Sequence, residues 1–258
     1  MIGKIVGAIL GFLILHSVWG VIFGVALGHF FFDQRTRTPA IPQAELERIQ
    51  IIFFNTVFRM LGYVAKADGH ISENEVKLTE IYMDKMGLTP EHRREAIRLF
   101  KEGSAADFNS KEQLNAFMAV AHHSPNLRQM LLVYLVNVAM ADGLLGDDEA
   151  QILRGVAENL GFSRTAFDQL LQMIGAQNSF AGNHQPRAND LEMAYQALGV
   201  VKDNSDAEIK KAYRKLMSQY HPDKLIGQGL PDDMIKAATE RSQEIQAAYD
   251  VIQKSRSG

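Results

Sequence analysis

Three consecutive residues, His221, Pro222 and Asp223, place an imidazole ring and a carboxylate on either side of a proline. They follow a segment that has helical spacing of apolar residues on one side and only positive charge on the other. The positive side consists of Lys210, Lys211, Arg214 and Lys215. In an exposed turn, a carboxylate can form strong charge-assisted hydrogen bonds with another protein. The sequence therefore predicts a basic helix that leads directly into an exposed turn.

The limits of this helix can be predicted from local signals. Ser205 and Glu208 have the spacing of a capping box, which marks a helix start. Pro222 disfavours helical geometry in the residue before it, so we expect the helix to end near His221. The apolar stripe consists of Ile209, Ala212, Tyr213, Leu216 and Tyr220. This stripe should pack against neighbouring helices and leave the basic side in solvent.

Two further segments with helical spacing flank the basic helix, at 191–200 and 232–252. The third segment has its own apolar stripe of Ile235, Ala238, Ile245, Ala248, Tyr249 and Ile252. Together with the tripeptide, these features resemble the J domain of DnaJ-type co-chaperones. The resemblance covers about 190–254 and predicts a J domain at 190–258, in which two antiparallel helices flank the tripeptide loop.

The resemblance implies a partner and a role for each residue of the motif. The partner is a DnaK-class chaperone, whose ATP hydrolysis His221, Pro222 and Asp223 would trigger. Lys210, Lys211, Arg214 and Lys215 would dock on an acidic surface of that partner. Tyr213 occupies a position that the family uses for contact, but burial on the apolar stripe explains it equally well.

Composition excludes several classes of function. The chain has 258 residues, a formal net charge of −3 and no cysteine. Disulfides, thiolate nucleophiles and cysteine-based zinc sites are therefore excluded, including the zinc-binding region of larger DnaJ-type proteins. A slightly acidic chain is not expected to bind nucleic acid as a whole. No cofactor is predicted.

A long apolar segment near the amino terminus predicts a membrane anchor. Residues 5–32 contain no Asp, Glu, Lys or Arg, and about 20 such residues suffice to cross a bilayer as a helix. A cleaved signal peptide would have an apolar region of about 7–15 residues, which is much shorter. We therefore predict a retained transmembrane helix in contact with the lipid bilayer.

Glycines follow a regular pattern along the anchor and directly before it. They form two runs with four-residue spacing, Gly3, Gly7 and Gly11, and then Gly20, Gly24 and Gly28. Small residues at this spacing let two helices approach closely in lipid, so we expect a homodimer through the anchor. His16 lies near the middle of the anchor, where a hydrogen bond across the dimer or a functional role would explain it.

The charges that flank the anchor predict its orientation. Lys4 precedes the anchor, whereas Arg35, Arg37 and Arg48 follow it. Positive residues favour the cytoplasmic side, which places 1–4 in the periplasm and everything after the anchor in the cytoplasm. A J domain needs a partner that uses cytosolic ATP, and this agrees with the same orientation at a bacterial inner membrane.

The middle of the chain contains an internal repeat. Val64-Ala-Lys-Ala-Asp-Gly69 recurs as Val138-Ala-Met-Ala-Asp-Gly143 at an offset of 74, since 142 − 68 and 149 − 75 are equal. A constant offset predicts two copies of one helix-turn-helix unit. We expect this all-α domain at 44–174, a short linker at 33–43, and a flexible linker rich in Gly, Asn and Ala at 175–189.

Paired acids occupy equivalent positions in the two copies. The shared pattern is Asp-Gly followed by Glu, formed by Asp68, Gly69 and Glu75, and by Asp142, Gly143 and Glu149. The pattern resembles the TerB-like domain of tellurite-resistance proteins, an all-α bundle. Helix capping and turn formation explain these residues, with Ser72 and Glu75 at capping-box spacing. A metal site formed by the four carboxylates is the alternative.

A pair of adjacent histidines, His122 and His123, precedes Ser124 and Pro125. Neighbouring residues in a helix point to different faces, so the two rings are not expected to bind one metal ion. An exposed loop is the favoured interpretation of this pair.

The order of anchor, TerB-like domain and J domain resembles the DjlA family of membrane-anchored DnaJ-like proteins. That resemblance implies an all-α regulatory co-chaperone rather than an enzyme, with DnaK as its partner. It also implies a link to capsule synthesis through the Rcs phosphorelay. Two alternatives remain open at this point, a metal-dependent enzyme of the middle domain and a membrane scaffold or metal sensor whose J domain only recruits partners.

Overall fold

The computed structural model describes residues 41–67, 73–140, 145–181 and 190–257. The chain divides into two compact units, 1–42 and 43–258, and the helices that follow all belong to the second. Within the described ranges the regular secondary structure is helical, and no residue there forms a strand. The predicted all-α fold class is confirmed for this part of the chain.

Seven helices of the middle domain lie in the residues that the structure describes. They are α1 (Gln43–Ala65), α2 (Glu73–Met86), α3 (Pro90–Gly103), α4 (Ser110–Ala121), α5 (Pro125–Ala139), α6 (Asp147–Asn159) and α7 (Arg164–Ala181). α5 lies at the centre, because its residues from Leu131 to Val136 are each at most 3% exposed. α1 packs beside it and contributes Phe53, Val57 and Phe58, none of which is exposed to solvent.

Two glycines let α1 and α3 cross at unusually short distance. A Cβ atom on Gly62 would lie 2.0 Å from the carbonyl oxygen of Phe100, and one on Gly103 would lie 1.8 Å from that of Arg59. No side chain fits at such distances, so both positions require glycine. The crossing is closed on its solvent side by Arg59, which binds Glu102 at 2.9 Å.

The C-terminal domain consists of α8 (Asp190–Ala197), α9 (Asp206–Tyr220), the short α10 (Pro222–Ile226), a 3-10 turn (Asp232–Met234) and α11 (Ile235–Ser257). α9 and α11 are antiparallel, because the start of α9 meets the end of α11 through Asp206 and Arg256 at 2.8 Å. At the other end, Ser242 donates to the carbonyl oxygen of Tyr220 at 2.8 Å. This is the helical hairpin that the sequence predicts.

The middle and C-terminal domains share one continuous apolar core, which runs from Ile49 to Ile252. The predicted linker at 175–189 begins too early in the sequence, because α7 continues to Ala181. Gln177 in this segment is fully buried and donates to the carbonyl oxygen of Ala197 at 2.7 Å. Apolar contact with α8 extends α7 through residues that in isolation look like a loop; 182–189 lie outside the described residues.

Candidate partner-binding site

α9 begins where the capping box predicts. The backbone N–H of Ser205 donates to Glu208 Oε2 at 2.8 Å, and the backbone N–H of Glu208 donates to Ser205 Oγ at 3.4 Å. The hydrogen bond from the Ser205 backbone lowers the pKa of the Glu208 carboxyl below its ordinary value. The helix start is therefore determined by residues within one turn of each other.

The two sides of α9 differ in burial. Ile209, Leu216 and Tyr220 are buried, which confirms three positions of the predicted apolar stripe, whereas Ala212 and Tyr213 are half-buried. The four cations of the other side are all exposed: Lys210, Lys211, Arg214 and Lys215. None of these four forms an ion pair with another described residue. They present a positively charged surface, which we call the basic face.

Tyr213 packs against α11 instead of pointing freely into solvent. Its ring stacks on that of Tyr249 with the centroids 4.2 Å apart, and its hydroxyl group donates to Gln246. Of the two interpretations left open by the sequence, packing within the hairpin accounts for these contacts.

His221, Pro222 and Asp223, which we call the trigger, occupy the corner after α9. The backbone of His221 is extended, with φ −64° and ψ 121°, because it precedes a proline. Pro222 is the first residue of α10, so the predicted turn continues into a short helix. The side chains of His221 and Asp223 are exposed. Both polar groups are therefore available to a partner at the end of the basic face.

Tyr220, directly before the trigger, is held on two sides. It is 1% exposed, and its phenol oxygen accepts a hydrogen bond from Gln129 Nε2 of α5 at 2.9 Å. Burial raises the pKa of the Tyr220 phenol, against the opposing effect of the nearby Arg241 guanidinium. Arg241 is 4% exposed and binds Glu244 at 2.9 Å. The phenol therefore stays neutral within a buried polar group of side chains.

Contacts between the two domains continue along the segment after the trigger. We call this region the domain junction: Gln50, His92, Ser124, Gln129 and Tyr134 from the middle domain, and Tyr220, Gln228, Leu230, Asp233 and Met234 from the C-terminal domain. Ser124 donates to Gln228 at 2.8 Å, and the Tyr134 hydroxyl donates to the carbonyl oxygen of Met234 at 2.7 Å. The segment after the trigger is thus bound by side chains from α1, α3 and α5.

Sequence reasoning missed the domain junction. The available signal was the apolar content of the segment between the trigger and α11, where Leu225, Leu230 and Met234 are fully buried. A loop exposed to water would not need three such residues. Gly229 among them has φ +105°, and a Cβ atom there would lie 2.3 Å from Ile49. This close approach was not foreseen either.

The acids of the repeat are only partly described. Asp68, Gly69, Asp142 and Gly143 lie outside the described residues, as does the side chain of Glu75. Glu149 accepts a hydrogen bond from the backbone N–H of Gly146 at 3.0 Å, which supports the helix-capping interpretation at that position. Among described residues, no cluster of three or more potential metal ligands was found.

The adjacent histidines lie in the turn after α4. Both are exposed, as expected, but their rings are in contact, with centroids 3.7 Å apart. Because the two residues lie in a turn and not inside a helix, the argument from helix faces does not apply to them.

The predicted anchor lies outside the described residues, together with Gly3, Gly7, Gly11, Gly20, Gly24, Gly28 and His16. In the part that the structure does describe, no helix has the length and apolarity required to cross a bilayer.

Comparison with protein families matches three segments of the chain. Residues 1–40 match the transmembrane domain of the co-chaperone DjlA, 55–172 match the tellurite resistance protein TerB, and 193–257 match the DnaJ domain. The three matches follow the order that the sequence predicts. No solved structure matches the chain.

Curated relatives match the chain over nearly its full length. The co-chaperone protein DjlA of Coxiella burnetii is 40% identical, covering 99% of this chain and 98% of that protein. The protein of the same name from Escherichia coli K12 is 36% identical, covering 98% and 97% respectively. A third, from Shewanella oneidensis, is 38% identical over 89% of this chain and 88% of its own length.

Proposed function

Because the chain belongs to the DjlA family of membrane-anchored J-domain co-chaperones, we propose that it binds a DnaK-class chaperone and stimulates ATP hydrolysis by that partner. The observation that carries the proposal is the continuity of the basic face with the trigger. Four exposed cations of α9, which form no ion pair with a described residue, are followed at the end of that helix by the exposed His221 and Asp223. The chemical step would belong to the partner, and this chain would regulate it.

The basic face would bind the partner first. Lys210, Lys211, Arg214 and Lys215 are exposed and form no ion pair with a described residue, so docking on an acidic surface would break no ion pair between described residues. Such complementary charge accelerates association and makes it depend on salt concentration. Tyr213 would contribute through the part of its ring that α11 leaves accessible.

The trigger would act after docking. Pro222 restricts the backbone at the start of α10, so His221 and Asp223 are presented in a defined geometry. The imidazole ring and the carboxylate would form hydrogen bonds with the partner that favour its hydrolysing conformation. Neither side chain fills the core, so changing the contact with the partner should leave folding of the domain unaffected.

The direct test is single-turnover ATP hydrolysis by DnaK with increasing amounts of the full chain in lipid nanodiscs. The His221→Gln variant should abolish stimulation while unfolding at the wild-type temperature, because an exposed substitution usually changes stability by no more than about 0.5 kcal/mol. The matched control is Gln243→Ala, an exposed change on α11. A folded His221→Gln protein that stimulates like wild type would leave a scaffold role in which the J domain only recruits partners.

The sequence of the predicted anchor supports three further parts of the proposal, which are the membrane location, the orientation and a homodimer. We place the protein in the bacterial inner membrane with 1–4 in the periplasm and the described domains in the cytoplasm, on the basis of the flanking charges.

The two glycine runs support homodimerisation. A Gly24→Leu change should weaken the dimer signal in a membrane two-hybrid assay more than Gly7→Leu if the second run forms the contact. Equal signals for both variants and wild type would contradict a glycine contact.

The link to capsule synthesis through the Rcs phosphorelay rests on family resemblance alone. If this chain acts on capsule synthesis through DnaK, overproduction of the wild type should change the activity of a capsule-promoter reporter, and His221→Gln should not. Activation that persists in that variant would separate the signalling role from co-chaperone activity.

A further inference from the structure

Tyr220 connects the trigger to the middle domain. Its side chain is 1% exposed, and the next residue in the chain is His221, which is exposed. Its carbonyl oxygen accepts from Ser242 Oγ at 2.8 Å, and its phenol oxygen accepts from Gln129 Nε2 at 2.9 Å. The first contact lies within the C-terminal domain, whereas the second comes from α5. Both ends of Tyr220 are therefore fixed, and one of the two fixed points belongs to the other domain.

Gln129 is itself positioned by a rigid element. The residues around it in α5, Leu127 and Met130, are at most 1% exposed, and α5 forms the centre of the middle domain. A side chain on such a helix has few alternative positions. The location of the Tyr220 ring is consequently set by the core of the middle domain as well as by the hairpin.

The surroundings of Tyr220 show where its ring would go without Gln129. Arg241 lies beside the phenol with two of its nitrogens, Nε and Nη2, lacking hydrogen-bond partners among the described residues. A buried charge next to a polar group makes each remaining hydrogen bond in the group more important, since water does not compensate its loss. Losing the Gln129 donor would therefore let the Tyr220 phenol turn towards the unpaired nitrogens of Arg241 and away from its present position.

The segment after the trigger is held in the same way. Gln228 accepts from Ser124 at 2.8 Å, and the carbonyl oxygen of Leu230 accepts from Gln50 at 3.4 Å. The middle domain thus contacts the chain on both sides of the trigger while leaving His221 and Asp223 exposed. The basic face takes no part in these contacts.

We infer that Gln129 is a positioning residue for co-chaperone activity, acting through Tyr220 to hold His221 where the partner requires it. This inference rests on the proposed function and extends it by giving the middle domain a direct part in stimulation. Docking depends on the basic face, and stimulation depends on the trigger. Removing the Gln129 contact should therefore lower maximal stimulation without changing the concentration that gives half of it.

The test measures both quantities for the full chain in nanodiscs with DnaK in single-turnover conditions. Gln129→Leu removes the donor at similar size, and its matched control is Gln169→Leu, an exposed glutamine of α7. Maximal stimulation by Gln129→Leu should fall by roughly threefold to tenfold, the range expected for one buried hydrogen bond. The half-maximal concentration should stay at the wild-type value, and the control should match wild type in both.

A second variant, Tyr220→Phe, deletes the same hydrogen bond from the other side. It should lower maximal stimulation to a similar extent. The double variant should stimulate about as well as either single variant, because both substitutions remove the same hydrogen bond. Tyr220→Phe also carries the test if thermal unfolding shows that Gln129→Leu is not folded.

Three results would overturn the inference: unchanged maximal stimulation in the folded single variants, a change in half-maximal concentration alone, or effects that add fully in the double variant. Increased stimulation would also overturn it, since the junction would then be inhibitory. Failure of the proposed function itself looks different, because wild type and His221→Gln would then be equally inactive.

Discussion

α5 and α9 are helices of the same length, 15 residues each, that relate to water in opposite ways. The middle of α5 is surrounded by protein, because six consecutive residues from Leu131 to Val136 are each at most 3% exposed. α9 buries one stripe and exposes four cations that have no described ion-pair partner. A helix buried on every side contributes to the core, whereas charge left unpaired along one side is available for binding. The comparison predicts that changes in α5 affect folding and changes in α9 affect partners.

The largest expected effect tests the buried side of this comparison. Leu132→Ala should destabilise the fold by about 2–5 kcal/mol, because it leaves a cavity in α5. Lys211→Ala, the exposed control in α9, should change stability by no more than about 0.5 kcal/mol. Denaturant unfolding of the full chain in detergent measures both. Similar losses of stability in the two variants would contradict the distinction between the buried α5 and the exposed side of α9.

A smaller effect extends the comparison from side chains to the backbone. Gly62→Ala should cost about 1–3 kcal/mol, because the new Cβ atom would lie 2.0 Å from a carbonyl oxygen of α3. Gly155→Ala in α6 should instead stabilise by about 0.5–1 kcal/mol, since its Cβ atom meets nothing within 4 Å and alanine favours helix. Melting temperatures that shift in the same direction would contradict this assignment of packing at the crossing of α1 and α3.

The next prediction concerns the exposed side of α9. Removing two charges with Lys210→Ala and Arg214→Ala should slow association with the DnaK-class partner by roughly tenfold at low salt and flatten its salt dependence. Maximal stimulation should persist at high concentration, because the trigger is intact. Surface plasmon resonance across a salt series measures the association rate. Unchanged binding would mean that the basic face is only a solvated helix surface.

The smallest effect is at the start of α9 and depends on pH. The pKa of Glu208 is lower in the folded protein than in the unfolded chain, so the unfolded state binds more protons as the pH falls. Its stabilising effect is therefore present above the ordinary glutamate pKa and is lost as the pH falls through the folded value. Glu208→Gln, which retains capping ability, should show less acid destabilisation than wild type. Identical acid unfolding curves would rule out this contribution.

Local patterns were sufficient for most of the secondary structure around the site. The capping box predicted the start of α9, the apolar stripe predicted its buried side, and Pro222 predicted its end near His221. The end of α7 was misplaced, because Gly175, Ala176 and Gln177 look like linker until contact with α8 buries Ala176 and Gln177. Helix boundaries that depend on tertiary contact are not encoded by nearby residues.

What the sequence determined by itself was the chemistry of the C-terminal domain and the order of domains. Capping, periodicity and unpaired charge act within a few residues, so they can be read along the chain. The tertiary structure decided that the two domains share a core and that Gln129 binds Tyr220, 91 positions away. Hydrogen bonds between distant residues depend on how whole helices pack, and no local spacing records that geometry.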